Sequence, residues 1–240
     1  MEAEEEQRAP GKTRGEMIGL AVSVIVLILV LAAASAPLLL KSRKAADRTE
    51  AINNIKQTGA MLVEFDTEYG SFPGKQTAED VKKATGTELN FDGTFSNDYF
   101  RQMLAGGGGK SEKPFWCKTA QSPKKADDNF SSPAKALEAG EVGFSYIMAS
   151  PTQGQKASDE PTRPVVVTPS YKFQTDWTFD PDIHKGKAVV LRIDGSAMIL
   201  QIREGDRKII TSPGKTLGDT GEGTPWGTKV TPCLRAPQPR

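Results

Sequence analysis

Residues 188–202 read AVVLRIDGSAMILQI, two apolar runs of strand length on either side of Asp194-Gly195. Aspartate followed by glycine is a favoured type I′ hairpin connection, because both residues tolerate positive φ. With that turn, Leu191 faces Met198 and Val189 faces Leu200, so the hairpin offers one apolar face for another element to cover. The hairpin predicts an antiparallel sheet in the C-terminal half. Residues 142–148 and 164–168 read as further strands, and 207–211 as one more. From about residue 204 the chain thins to a loose tail of Gly, Thr and Pro, tethered by Trp226 and Cys233.

The covering element lies upstream. Ile52, Ile55, Gly59, Leu62, Phe65 and Tyr69 recur at three- and four-residue steps, while Asp47, Glu50, Asn54, Lys56 and Glu64 fill the other positions. That is one amphipathic helical stripe, and it stops at Tyr69-Gly70-Ser71-Phe72-Pro73. Short helices follow at 78–84 and 97–104, separated by the Asp92-Gly93 turn. Residues 110–140 then read as a long irregular stretch with Phe115-Trp116-Cys117 as its apolar anchor. The predicted fold class is α+β, a long N-terminal helix packed on a C-terminal antiparallel sheet.

The helical signal begins well before this stripe. Residues 17–40, MIGLAVSVIVLILVLAAASAPLLL, carry no charge. At about 1.5 Å rise per residue such a run extends roughly 36 Å, enough for a hydrocarbon core of about 30 Å. The reading is a transmembrane helix continuing into a rod over 17–68, kinked near Pro37. The domains expected are a cytoplasmic leader-like tail (1–16), the span (17–40) and a periplasmic domain (41–240), giving a single-pass bacterial inner-membrane protein with the lipid bilayer as one partner. A secretory signal cleaved within Ala32-Ala33-Ala34-Ser35-Ala36 is the alternative. Flanking charge leans the other way, with Arg8, Lys12 and Arg14 before the run and Lys41, Arg43, Lys44 and Arg48 after it. Long domains translocate largely regardless of that count. Cys117 and Cys233 are the chain's two cysteines, and an even pair outside the cytoplasm is a candidate disulfide worth up to about 4 kcal/mol. Two unpaired thiols are the other possibility. A net charge of +1 with scattered basic residues leaves no footprint for nucleic acid.

These features together resemble the type IV pilin-like proteins, and specifically the pseudopilin-like secretion group with a His, nine residues and Asp-Gly near the C-terminal end. Here that motif is His184, KGKAVVLRI, then Asp194-Gly195. If Gly15 is the last leader residue, with cleavage before Glu16, then Pro37, Arg43, Asn53-Asn54, Lys56-Gln57 and Tyr69-Gly70-Ser71-Phe72-Pro73 also match the family pattern. The resemblance covers roughly 15–73 and 184–200, with weaker support from Trp116-Cys117 and Phe144-Ser145-Tyr146 between. It implies a pilin-like fold, no enzymatic activity, and other pilin-like or secretion-system subunits as partners in a type IV pilus or type II secretion pseudopilus. Two positions depart from the pattern: Glu16 stands where the family has Phe, and Leu20 where it has the Glu that pairs with a neighbour's N-terminal amine. The expectation is therefore that the leader is retained.

Other clusters carry less. Gly106-Gly107-Gly108-Gly109-Lys110-Ser111 lacks the first glycine of a phosphate loop and follows a helical segment, so it reads as a flexible linker. Asp180, Asp182 and His184 alternate and, on an extended segment, would share one side and suit a cation, although a lone His beside acids also serves as a hydrogen-bonded structural contact. Glu2 and Glu4-Glu5-Glu6 form an acidic head, read as solvated or as a docking segment. With one histidine there is no catalytic triad to assemble, and no cofactor motif is present. The competing class is a signal-anchored periplasmic ligand-binding or hydrolytic domain on the same scaffold.

Overall fold

A computed structural model of the chain describes residues 14–240 apart from Gln121 and Ser131. The acidic head, and the leader-like tail up to residue 13, lie outside the described residues. Two compact units divide the chain, 1–43 and 44–240, and each carries part of the first helix, α1 (Arg14–Tyr69).

In the second unit α1 buries Ala51, Ile55, Thr58, Leu62 and Phe65, steps of three and four that match the sequence stripe. The helix stops where the sequence places the stop: Gly70 has φ +77° and its N–H donates to Asp66 O at 2.7 Å, closing the last turn in the left-handed conformation glycine adopts freely. Two shorter helices follow, α2 (Lys75–Thr85) and α3 (Ser96–Ala105). Then come seven strands: β1 (Ser145–Met148), β2 (Pro164–Val167), β3 (Lys187–Arg192), β4 (Ala197–Gln201), β5 (Ile210–Ser212), β6 (Lys215–Thr216) and β7 (Cys233–Arg235). Five form an antiparallel sheet in the order β4-β3-β2-β1-β7, and β5 pairs with β6 separately. The fold is α+β.

Alternation along the strands sorts two cores. Tyr146, Met148, Val189 and Leu191 join Phe65, Phe100 and Phe115 in a cluster with the helices, while Ile147, Ala188 and Val190 join Phe179, Leu217 and Trp226 in a second. Gly59 lets α1 approach closely, since a Cβ there would lie 3.1 Å from a methyl of Leu191.

The hairpin exists, but its register differs from the expected one. Val190 pairs with Met198 and Leu191 with Ala197, because the connection has three residues rather than two. Gly195 N–H donates to Arg192 O at 3.1 Å, Arg192 N–H donates to Ser196 O at 3.0 Å, and of the Asp-Gly pair Gly195 alone has positive φ (+78°). This is a turn followed by a left-handed residue, not a type I′ turn, which would need positive φ at both positions. The slip moves Leu200 from the helix face to the opposite one, where it packs in the second cluster.

The tail beyond 204 is tied down rather than loose. Leu217, Trp226 and Leu234 are buried, and β7 adds to the sheet beside β1. Gly106 to Gly109 are not a flexible linker either: Gly108 is buried, and a Cβ at Gly106 would lie 2.8 Å from the Tyr69 ring. The run is glycine because it passes against α1.

Two further expectations are overturned. Cys117 and Cys233 are both free thiols, so the disulfide is absent. Cys117 donates its S–H to Gly143 O, just before β1, whereas Cys233 pairs with Met148 at the far end of that strand. The five residue steps from Gly143 to Met148 extend about 16 Å, beyond the roughly 7 Å Cα limit for a bridge. Second, among the described residues no helix is long and apolar enough to cross a membrane. The transmembrane span at 17–40, the bilayer as partner and the single-pass inner-membrane placement with a periplasmic domain are therefore not supported.

Candidate functional site

His184 and Asp194-Gly195 bracket one strand. The nine residues between them are the end of a turn, β3, and the start of the hairpin connection. The histidine sits in a short 3-10 turn (Ile183–Lys185) with φ +49°, followed by Lys185 at +60° and Gly186 at +71°. At the other end Asp194 accepts the Ser196 N–H at 2.8 Å, and hydrogen bonds from Ser196 hold its carboxyl below the usual range. The motif thus marks how β3 enters and leaves the sheet.

Asp180, Asp182 and His184 do not lie on an extended segment. Asp180 accepts the Asp182 N–H at 2.9 Å, and the chain then turns through the 3-10 segment. All three line a recess of about 300 Å³ with Lys44, Asp47 and Lys118, but their ligand atoms do not converge. Lys44 Nζ donates to the Asp182 carbonyl at 3.1 Å, and Lys118 pairs with Asp47 at 3.6 Å. His184 is 4% exposed and its Nε2 has no partner. Burial, aided by Arg48 and Lys44 and opposed by Asp47, pushes its pKa down to about 4, so the imidazole is neutral near pH 7. The imidazole is neutral and enclosed, with Lys44, Asp47 and Arg48 of α1 as its charged neighbours.

A cluster that no spacing announces lies in the irregular stretch. Glu112, Asp127 and Glu141 bring carboxylate oxygens within 4.8 Å of one another. Glu112 is fully buried and accepts the Leu137 N–H at 2.6 Å and the Asp128 N–H at 3.0 Å. Burial, with Glu141 and Asp127 adding to it, raises its carboxyl to about 7. Burial raises Glu141 as well, although it accepts the Glu138 N–H at 2.6 Å. Asp128 returns the contact by accepting the Glu112 N–H at 2.8 Å. These oxygens suit a hard cation in kind, but three carboxylates fall short of the six to eight ligands calcium takes. The arrangement works first as a clasp that folds 111–141 against Arg101, whose guanidinium donates to the Ala136 and Leu137 carbonyls. Neither spacing nor composition signals it, since the residues meet only once that loop is packed.

Among the described residues His184 Nε2 is unpartnered, and burial pushes the Cys117 thiol up while its S–H is held by Gly143 O. Gly15 and Glu16, the expected cleavage point, fall in the first turn of α1. Beyond them Met17, Ile18, Val22 and every residue from Val24 to Leu31 expose about half or more of their apolar surface.

The chain matches no family model, no curated protein and no solved structure.

Proposed function

We propose that this chain is a non-catalytic structural subunit of a pilin-like filament, assembled with like subunits through the first half of α1. The observation that carries the reading is the row of exposed large apolar residues over 17–31 on a helix whose later turns cover an antiparallel sheet. Exposed apolar surface on this scale marks an interaction site, and each such side chain gains about 1.5–3 kcal/mol when another covers it. Packing several α1 helices side by side would bury these residues. The match of His184, Asp194-Gly195 and Tyr69-Gly70-Ser71-Phe72-Pro73 to the pilin-like pattern supports the same assignment.

The test is assembly of the full chain. Ile25→Asp combined with Leu29→Asp should convert large species to small ones in sedimentation, with the near-ultraviolet dichroism of the sheet domain unchanged. Assembly equal to wild type in that variant, or a wild type that sediments as a monomer, overturns the reading.

A further inference from the structure

A polar cleft of about 440 Å³ opens on the face of the sheet away from the helices. That size lies within the range of small-molecule sites, roughly 300–1,000 Å³. Arg192 reaches it from the end of β3. Two and four residues from Val190 and Ala188, it stands on their side of the strand, and it pairs in register with Pro164. Arg163 reaches it from just before β2, its Nε donating to Pro225 O at 3.2 Å and its Nη1 lying 3.8 Å from Asp159. The Arg192 guanidinium, by contrast, makes no hydrogen bond or ion pair among the described residues. It is half-buried, and a guanidinium fork removed partly from water gains most from a planar oxyanion. Thr211 also lines the cleft, and its buried hydroxyl has no partner. The floor is apolar, formed by Val190 and Leu217.

Charge selects among anions. Arg163 is already shared with Asp159, which leaves Arg192 as the lining cation without an ion-pair partner among the described residues. A monoanion neutralises it, whereas a phosphate near two negative charges would be left in excess beside Glu160. We propose that this cleft binds the carboxylate of a small organic acid, with Arg192 as its main anchor. Arg163 is the second anchor, the Thr211 hydroxyl donates a further hydrogen bond, and Val190 and Leu217 take the acid's short carbon chain.

The experiment is an amide chemical-shift titration of the full chain with butyrate, butyramide and inorganic phosphate. Butyrate should shift the amides of 190–192 and 211–212 saturably, with butyramide giving no saturable change. Arg192→Gln should weaken butyrate about tenfold or more while leaving the rest of the spectrum in place, because the Arg192 guanidinium makes no hydrogen bond or ion pair among the described residues and the backbone bonds survive the substitution. Equal responses to butyrate and butyramide, an unchanged affinity in Arg192→Gln, no saturable binding, or tighter binding of phosphate would each overturn the assignment.

Discussion

On the helix side of the sheet Phe65, Phe100 and Phe115 arrive on regular or nearly regular backbone; on the other side Phe179, Leu217 and Trp226 arrive on turns and short bridges. A helix satisfies its own backbone, so α1 and α3 can close a face with side chains alone. Irregular chain must satisfy its backbone elsewhere, and here it does so piece by piece. Phe179 N–H donates to Arg207 O, Leu217 N–H to Ile209 O, and the Trp226 indole to Leu217 O at 2.7 Å. The lesson is that equal burial does not mean equal cooperativity: the first face is coupled through whole helices, the second through single hydrogen bonds.

The largest expected effect tests that coupling. Phe100 is fully buried, stacked on Phe115 at 4.8 Å and edge-on to Tyr146 at 5.9 Å. Phe100→Ala should cost about 4 kcal/mol in denaturant unfolding and lower amide protection throughout α1, α3 and the sheet. Trp226→Ala should cost about 3 kcal/mol, with lost protection concentrated in 209–230. Uniform loss of protection in both variants would erase the distinction between the faces.

Titration distinguishes Glu112, in the loop over the first face, from His184, in the turn that leads into β3. The Glu112 carboxyl is raised from 4.5 to about 7, so the folded state holds its proton more tightly than the unfolded state. That contribution is fully present below about pH 4.5 and is lost as pH rises through about 7, up to about 3 kcal/mol. Glu112→Gln should flatten this slope between pH 5 and 8 in urea midpoints. His184 has the opposite sign. Its pKa falls from 6.5 to about 4, so stability is fully present above 6.5 and is lost as pH drops toward 4, again by up to about 3 kcal/mol. His184→Gln should remove that acid slope and leave the Glu112 slope intact. A single slope that vanishes in both variants would show that the two groups titrate as one.

The smallest effect is at the hairpin that both faces share. Gly195 has φ +78° with no atom within 4 Å of an added Cβ, so a substitution there is penalised by backbone conformation alone. Gly195→Val should cost about 1–2 kcal/mol, and Gly195→Asn clearly less, because asparagine tolerates the left-handed region. Equal unfolding midpoints for wild type and Gly195→Val would mean that the connection is not held in this conformation.

Local patterns predicted local structure well. The spacing of Ile55, Leu62 and Phe65 placed the covering helix, Gly70 its end, and Asp194-Gly195 the hairpin, because each depends on neighbours within a few residues. The same reasoning failed where the outcome depends on partners far along the chain. The hairpin slipped by one residue because turn length is decided by how both strands seat in the sheet, which the dipeptide does not report. An even cysteine count outside the cytoplasm suggests a bridge without locating either thiol, and β1 keeps the two at its opposite ends.

What the sequence by itself determined is the α+β class, the helical stripe and the places where chain direction changes, all consequences of periodicity and of glycine's conformational range. Only the tertiary structure decided that the tail after 204 closes the second face, that Glu112, Asp127 and Glu141 meet, and that Arg163 and Arg192 share a cleft. Each of these joins segments separated by many residues of irregular chain. Such contacts form when burial and hydrogen bonding outweigh the entropy of closing the loop, a balance set by the whole packed domain and not by any stretch within it.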